Sequence, residues 1–233
     1  MRILAVGAHP DDLELMCAGT LAKYKKQGHT VVMAHLCDGS KGHLTIPSDE
    51  LAKIRGKEAK KSAKLLGAEI MSGKFPDLEL YVDEPSRKIV VDIIRKAKPD
   101  VIITHSPDDY QADHTNTAKL VIEASYPSTL PHFKSKYPPH FVITPIFFMD
   151  TLAGVNFQPT EYVDISEEIG IKEKMLLCHQ SQYTWLRDHD NIDYVEFMKK
   201  LSAFRGLQCG VKFAEGFRQY QVWGRIVPKR LLP

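Results

Sequence analysis

Short apolar runs alternate with helix-like segments along the first half of the chain, and this alternation restricts the fold more than any other feature. Residues 2–8 form a continuous apolar run, which is typical of a strand covered on both faces, and further strands are predicted at 30–38, 68–73 and 100–106. Segments of helical length separate them: residues 11–27, 48–67 and 87–98. Strands and helices that alternate at this spacing predict right-handed crossovers and a mostly parallel sheet. The predicted fold class is therefore α/β, a three-layer Rossmann-like fold.

Capping residues mark the ends of these helices. Gly28 and Gly67 stand where a left-handed C-cap would end the first and second helix, and Pro99 stops the third. Ser48 is placed to act as the N-cap of the second helix. Each predicted helix therefore has at least one signal at its boundary that agrees with its periodicity.

The second half of the chain has a looser pattern. Residues 125–140 are rich in proline and aromatic residues and predict a surface loop that could serve as a lid. Late strands are predicted at 142–151 and 160–166, and helices at 166–182 and 195–210. Because no repeat, low-complexity tract or linker interrupts the chain, a single domain over residues 1–233 is expected.

Composition argues against several classes of protein. The formal net charge is +2 and the sequence pI is near 8.2, so charge gives no indication of nucleic-acid binding. No run of eighteen apolar residues predicts a membrane span, and the apolar start is too short for a signal peptide. A cytoplasmic location is the expectation from these features.

Two motif-based alternatives are also disfavoured. The glycine-poor GAHPDD segment lacks the G-x-G-x-x-G fingerprint of dinucleotide binding. The four cysteines are widely spaced, with no C-x-x-C pair, and are predicted to be small buried apolar residues: Cys17, Cys37, Cys178 and Cys209.

Histidine and aspartate follow two of the predicted strands. AHPDD (residues 8–12) ends the first strand, and THSPDDYQADHTNT (residues 104–117) ends the fourth. Ligands of open parallel sheets bind beyond the carboxyl ends of the strands, near the switch in strand order. Strands one and four are neighbours in the usual doubly wound orders, so these two segments are expected to meet in one cleft.

Such a cleft would hold the residues of a metal site. His9 and Asp12 are three positions apart at a helix start, so their side chains can lie on the same face of that helix. His114 begins the helix after strand four. Two imidazoles and one carboxylate leave a coordination position for water, as catalytic zinc requires, and Asp11 is left as a candidate general base. Each segment alone also reads as an ordinary helix start, with acidic residues in the first turn. Their joint placement favours the metal site.

The same segments resemble a known family. AHPDDLEL, CDGSKG, IRGKEA, the ADH after strand four, LLCHQSQ and FRGLQCGVKFAEGFR are similar to segments of the LmbE-like, or PIG-L, deacetylases, and they extend over nearly the whole chain. The resemblance implies a zinc hydrolase with a Rossmann-like fold that removes acetyl groups from N-acetylglucosamine-type sugars and conjugates. It assigns zinc to His9, Asp12 and His114 and the general-base role to Asp11.

The resemblance also implies substrate contacts and partners. Arg55, the arginine of an R-x-x-E motif, would contact the substrate, and Asp77 matches a position that binds sugar hydroxyls. Without the resemblance, Arg55 reads equally as a solvated helix residue paired with Glu58. Zn2+ is the implied cofactor, although an N/O donor set also accepts Fe2+. A homo-oligomer is a family-based expectation.

Gln111 departs from the family pattern. Many members have His-Pro-Asp-His where this chain has Gln111-Ala-Asp-His. A glutamine can donate a hydrogen bond to an oxyanion, but it cannot deliver a proton to the leaving amine. Asp11 could return that proton after accepting it from water, and His105 and His179 are weaker candidates that read equally well as structural histidines. Tyr110 reads as a partly buried structural residue.

The leading hypothesis is a zinc-dependent N-deacetylase of N-acetylglucosamine-type sugars. The first alternative is an amidase that acts on a larger sugar conjugate, which the proline-rich segment at residues 126–140 would accommodate. The second is a metal-dependent sugar-binding protein with little turnover, suggested by the loss of a histidine at Gln111. The complete set of His9, Asp11, Asp12 and His114 argues against that loss of function.

Overall fold

The protein is built around one seven-stranded sheet. A computed structural model describes residues 1–233. The strands lie in the order β3-β2-β1-β4-β5-β7-β6. Their bounds are β1 Arg2–Gly7, β2 Thr30–Cys37, β3 Glu69–Phe75, β4 Val101–Thr104, β5 Ile146–Met149, β6 Glu161–Asp164 and β7 Ala214–Gln219. The first five strands pair in parallel, whereas β7 pairs antiparallel to both β5 and β6. The predicted α/β, mostly parallel fold is confirmed.

Helices cover both faces of this sheet. Their bounds are α1 Asp12–Met16, α2 Ala18–Lys26, α3 Ser48–Leu66, α4 Glu84–Ala97, α5 Ala112–Ser125, α6 Ile169–Leu176, α7 Gln180–Asp190 and α8 Tyr194–Cys209. Successive side chains of a strand point to opposite faces, so Ile3 and Ala5 join one core with α2, α6 and α8, while Leu4 and Val6 join the other with α4 and α5. The result is three layers. None of the helices is long and apolar enough to cross a membrane.

The helix predicted at residues 11–27 is two helices. Cys17 lies between α1 and α2 with φ −141° and ψ 6°, outside the helical region, while its N–H still donates to the carbonyl of Leu13. The prediction for Ser48 is also wrong, because Pro47 occupies the N-cap position and Ser48 is already helical. Gly67 is the left-handed C-cap of α3, as predicted.

The second half differs more from the prediction. The helix predicted at 166–182 ends at Leu176, and α7 is a separate helix that no pattern had indicated. Strand β7 was also missed, because its sequence AEGFRQ mixes polar and apolar residues as an antiparallel strand near the sheet edge does. Cys209 is exposed rather than buried, whereas the other three cysteines are buried as expected.

Residues 125–140 form a surface loop tied to the body of the protein. The buried guanidinium of Arg95 donates to the carbonyl oxygens of Ser128, Tyr137, Pro127 and Leu130. None of the loop residues lines the cavity described below. The loop is therefore not placed to act as a lid over that cavity.

Candidate metal centre and active site

The two histidine- and aspartate-rich segments meet at the carboxyl edge of the sheet. Strands β1 and β4 are paired neighbours, with Val6 opposite Thr104. His9 follows β1 after one intervening residue, and α5 brings His114 back toward the same point from the end of β4. The topology thus produces the convergence that strand order predicts.

His9, Asp12 and His114 have their ligand atoms within 4.8 Å of one another. Oδ1 of Asp12 is 3.3 Å from Nε2 of His114, and Oδ2 of Asp12 is 3.5 Å from Nδ1 of His9. The second ring nitrogen of His9 faces Oδ2 of Asp113 at 3.0 Å. Each histidine therefore directs one nitrogen toward Asp12 and the other away from it.

The electrostatics of this cluster favour an added positive charge. Burial by itself lowers the pKa of His9, but contacts with Asp113 and Asp12 outweigh it and raise the pKa to about 10. Burial is likewise outweighed at His114, where Asp12 and Asp109 raise the pKa to about 9. Burial would raise the pKa of Asp12, but the two histidines nearest to it, His114 first, hold the pKa well below its usual value. Two imidazoles and one carboxylate fit a divalent metal bound by nitrogen and oxygen.

Asp11 stands beside this cluster without joining it. Its backbone has φ 115°, a conformation that L-residues rarely adopt, at the N-cap of α1. Its carboxylate lies 3.1 Å from the guanidinium of Arg55. Burial raises the pKa of Asp11 to about 6, while the charge of Arg55 opposes that rise. A carboxyl group with this pKa can exchange protons near neutral pH.

Arg55 holds the turn that carries Asp11. Its side chain is 3% exposed, and its guanidinium donates to the carbonyl oxygens of Pro10 and Gly39 as well as contacting Asp11. It also reaches the wall of the cavity. The pairing with Glu58 does not occur, because the Glu58 carboxylate accepts hydrogen bonds from the backbone and hydroxyl of Ser181.

Asp77 also has backbone partners. Its two carboxylate oxygens accept from Gly39 N at 2.8 Å and Lys41 N at 3.1 Å, which fixes the loop after β2. Nε2 of His9 lies 4.0 Å from Oδ1 of Asp77. Asp77 lines the cavity as well, so it can present oxygen atoms to a ligand from the side of His9.

Gln111 immediately precedes α5 and lines the same cavity. Its side-chain oxygen is buried and has no hydrogen-bond partner in the chain. A buried oxygen in that condition can accept a hydrogen bond from a ligand. Tyr110 next to it is 79% exposed at the cavity rim, and it is not the partly buried structural residue expected from the sequence.

The two other candidate histidines lie outside the cavity. Nε2 of His105 is 3.0 Å from Oδ2 of Asp12, and its ring stacks on His114 with the centroids 3.9 Å apart. Burial lowers the pKa of His105 to about 4, so the ring is neutral at ordinary pH. His179 is fully buried, 3.1 Å from Oε1 of Glu14. In this arrangement, His105 and His179 contact buried carboxylates and have structural roles.

A cavity of about 750 Å³ opens over these residues. Its polar wall carries the ligand candidates together with Asp11, Arg55, Asp77 and Gln111. Much of the remaining wall is apolar and comes from the segment after β5, from α7, from the connection to α8 and from α8 itself: Leu152, Val155, Leu186, Ile192, Tyr194 and Phe197. A cavity of this size lies in the upper part of the range for small-molecule sites.

Sequence comparison relates the chain to one family and to a relative at 30% identity. The sequence profile of the PIG-L family, described as GlcNAc-PI de-N-acetylase, matches residues 4–125. Diacetylchitobiose deacetylase of Thermococcus kodakarensis is 30% identical over 229 residues, covering 93% of this chain and 82% of the relative.

Solved structures agree with the sequence match. The N,N'-diacetylchitobiose deacetylase of Pyrococcus horikoshii has a TM-score of 0.82 and 30% identity, over 93% of this chain and 82% of that one. The 4-carboxy-2-hydroxymuconate hydratase of Pseudomonas putida has a TM-score of 0.83 over 99% of this chain and 100% of that one, but at 21% identity it shows the fold alone. More than half of the chain matches the family profile, and the chain therefore belongs to the PIG-L family.

Proposed function

We propose that this protein is a zinc-dependent hydrolase that removes an N-acetyl group from an N-acetylglucosamine-type sugar or conjugate. One observation carries the proposal. His9, Asp12 and His114 converge at the carboxyl edge of the sheet, and Asp11, which is not part of that trio, opens into the same cavity. Family membership and the 30% identity to a diacetylchitobiose deacetylase support the choice of an amide of an amino sugar as substrate.

His9, Asp12 and His114 would hold the metal ion. When bound, a zinc ion lowers the pKa of a water molecule and polarises the amide carbonyl. Asp11 accepts the proton of the attacking water, because its carboxylate is close to the trio and its pKa of about 6 leaves it largely ionised at neutral pH. Arg55 keeps Asp11 in place through the contact at 3.1 Å.

Gln111 would stabilise the oxyanion of the tetrahedral intermediate. Its amide group lines the cavity, and the amide NH2 can donate a hydrogen bond to the developing negative charge. The departing amine needs a proton, which Gln111 cannot supply. Asp11, protonated by the first transfer, returns that proton to the amine, so one carboxyl group serves in both steps. Neither His105 nor His179 lines the cavity to take over this role.

Asp77 would contact sugar hydroxyls, since its carboxylate lies on the cavity wall beside His9. The cavity of about 750 Å³ extends from the polar residues to the apolar residues of α7 and α8. A disaccharide or a sugar conjugate is therefore the expected substrate size. The amidase alternative keeps the same chemistry on a larger conjugate, but the loop at 125–140 no longer supports it.

The experiment measures acetate and free amine from a panel of N-acetylated sugars, with metal-stripped protein and with protein reloaded with Zn2+ or Fe2+. The panel contains N-acetylglucosamine, diacetylchitobiose and an N-acetylglucosamine conjugate. We expect release of both products only with metal, and a turnover about 10²–10⁴-fold lower for Asp11→Asn at unchanged metal content.

Three outcomes would contradict the proposal. Acetate release that does not depend on metal would exclude the metal trio. Tight sugar binding without acetate would favour the binding-protein alternative, and loss of metal in Asp11→Asn would make Asp11 a ligand.

We also propose that residues 1–233 act as one catalytic domain and form a homo-oligomer, which light scattering of the purified protein tests.

A further inference from the structure

Asp109 lies behind His114, on the side away from Asp12. Its side chain is 1% exposed, and Oδ2 is 3.2 Å from Nδ1 of His114. Neither of these two atoms has another hydrogen-bond partner in the chain, although ring and carboxylate are not aligned for a hydrogen bond here. Nε2 of the same ring faces Asp12 at 3.3 Å. The two nitrogens of His114 therefore face two different carboxylates.

We propose that Asp109 is a positioning residue that fixes the tautomer of His114. The inference rests on the proposed metal site. An imidazole binds a metal through its unprotonated nitrogen, and the other N–H usually donates to a carboxylate or carbonyl that sets the ring's orientation. A hydrogen bond from Nδ1–H of His114 to Asp109 leaves Nε2 unprotonated on the side of His9 and Asp12.

A second contact fixes the orientation of the Asp109 side chain. Oδ1 of Asp109 accepts a hydrogen bond from the backbone N–H of Gln111 at 3.0 Å. In Asp109→Asn, the amide oxygen must therefore occupy the Oδ1 position, because an NH2 group there would meet the Gln111 N–H donor. The NH2 group of the asparagine then faces Nδ1 of His114.

This orientation reverses the hydrogen bond to the histidine. An NH2 group donates, so Nδ1 must accept and the ring proton moves to Nε2, the atom needed for the metal. The same exchange of carboxylate for amide beside a catalytic histidine produces the wrong tautomer in serine proteases. Asp109→Ala imposes no tautomer, since it only removes the acceptor. The nearly isosteric variant is therefore expected to harm metal binding more than the truncated one.

A merely structural role predicts the opposite order. Asparagine keeps the acceptor for the Gln111 N–H, whereas alanine leaves that N–H without a partner at the start of α5. If Asp109 only shaped this loop, Asp109→Ala would be the more damaging change in every measurement. The two variants thus separate positioning of the histidine from support of the loop.

The experiment follows zinc release from zinc-loaded wild type, Asp109→Asn and Asp109→Ala into an excess of a chromogenic chelator. Equilibrium affinities come from competition with the same chelator. Asp108→Asn is the matched control. Asp108 is the neighbour of Asp109 in sequence, but its carboxylate pairs with Arg218 and its side chain is 49% exposed. We expect Asp109→Asn to bind zinc 10- to 100-fold more weakly than wild type, Asp109→Ala to lose less, and Asp108→Asn to match wild type. In chelator, unfolding by urea should show the reverse order, with Asp109→Ala the less stable of the pair.

Several results would overturn the inference. Wild-type affinity in Asp109→Asn, or weaker zinc binding in Asp109→Ala than in Asp109→Asn, would leave Asp109 with a structural role. Two zinc ions in wild type and one in both variants would make Asp109 a ligand of a second ion with His105 and His114, whose ligand atoms also lie within 4.8 Å of one another. If Asp109→Asn does not fold, 15N NMR of histidine in the zinc-loaded wild type decides, because the inference requires the proton of His114 on Nδ1. Wild-type protein that binds no zinc would instead refute the proposed function.

Discussion

Replacing Arg55 with methionine tests whether a buried ion pair holds the proposed general base. Arg55 is 3% exposed at its side chain and Asp11 is 7% exposed, so each charge depends on the other for compensation. Removing one partner of a buried pair costs about 3–5 kcal/mol of unfolding free energy, because the other charge is left buried alone. The pair between Arg87 and Glu123 is 33% and 42% exposed, and Arg87→Met should cost only about 0–1 kcal/mol.

The cost of Arg55→Met should also depend on pH. The pKa of Asp11 is about 6 in the folded protein, above the ordinary value of 3.8, so ionisation of Asp11 weakens the fold as pH rises through 6. Arg55 lowers this pKa, and its removal raises it further. At pH 5 Asp11 is protonated in the variant, so no unpaired carboxylate is buried and less unfolding free energy is lost. At pH 8 the variant must either bury an unpaired carboxylate or keep Asp11 protonated far above its usual pKa, and both lower the unfolding free energy.

Urea unfolding in chelator, followed by circular dichroism, measures these differences for wild type, Arg55→Met, Asp11→Asn and the double variant at both pH values. We expect a larger loss for Arg55→Met at pH 8 than at pH 5. We also expect a coupling free energy between the two sites of about 0.5–3 kcal/mol. A loss no greater than that of Arg87→Met, with zero coupling, would refute the ion-pair reasoning.

Three further predictions concern catalysis and stability. Gln111→Ala should lower kcat about 10²–10³-fold with little change in KM, because an oxyanion donor acts in the transition state; a raised KM with unchanged kcat would make Gln111 a substrate-binding residue. Glu215→Gln should lower the unfolding free energy by about 3–5 kcal/mol in urea titrations, since it leaves the buried ammonium of Lys172, 2.6 Å away, without its counter-charge; a loss below 1 kcal/mol would contradict this. Burial lowers the pKa of His35 to about 4, so the unfolded chain binds the proton first as pH falls from 7 to 4. The unfolding free energy of wild type should therefore fall by on the order of 3 kcal/mol more than that of His35→Gln. Parallel curves of unfolding free energy against pH would contradict the shift.

The parts of the fold that follow from periodicity were predictable from sequence. Apolar runs identify β1, β2 and β4, and the usual doubly wound strand order predicts β1 beside β4, as the sheet shows. That adjacency is enough to bring the AHPDD segment to the start of α5. Strand β7 was not predictable in this way, because half of its residues are polar and its partners β5 and β6 lie far from it in sequence.

Within the candidate site, residue types were predictable but their contacts were not. The placement of His9, Asp12 and His114 at the ends of neighbouring strands suggested a trio, whereas the ring nitrogen that each histidine offers depends on backbone geometry at the helix starts. Asp109 lies within the aspartate-rich segment at residues 104–117, but no motif distinguished it from Asp108 and Asp113. Arg55 was assigned to substrate by resemblance, and only the structure places its guanidinium on Asp11 and on backbone carbonyls.

The dependence of acetate release on zinc stoichiometry decides whether one metal ion at His9, Asp12 and His114 supports hydrolysis. Metal-stripped protein would be titrated with Zn2+ in substoichiometric steps, and acetate release from diacetylchitobiose would be measured at each step. We expect a linear rise to a plateau at one equivalent for wild type, and no rise for His114→Ala. Activity without metal, or full activity in His114→Ala, would contradict this expectation.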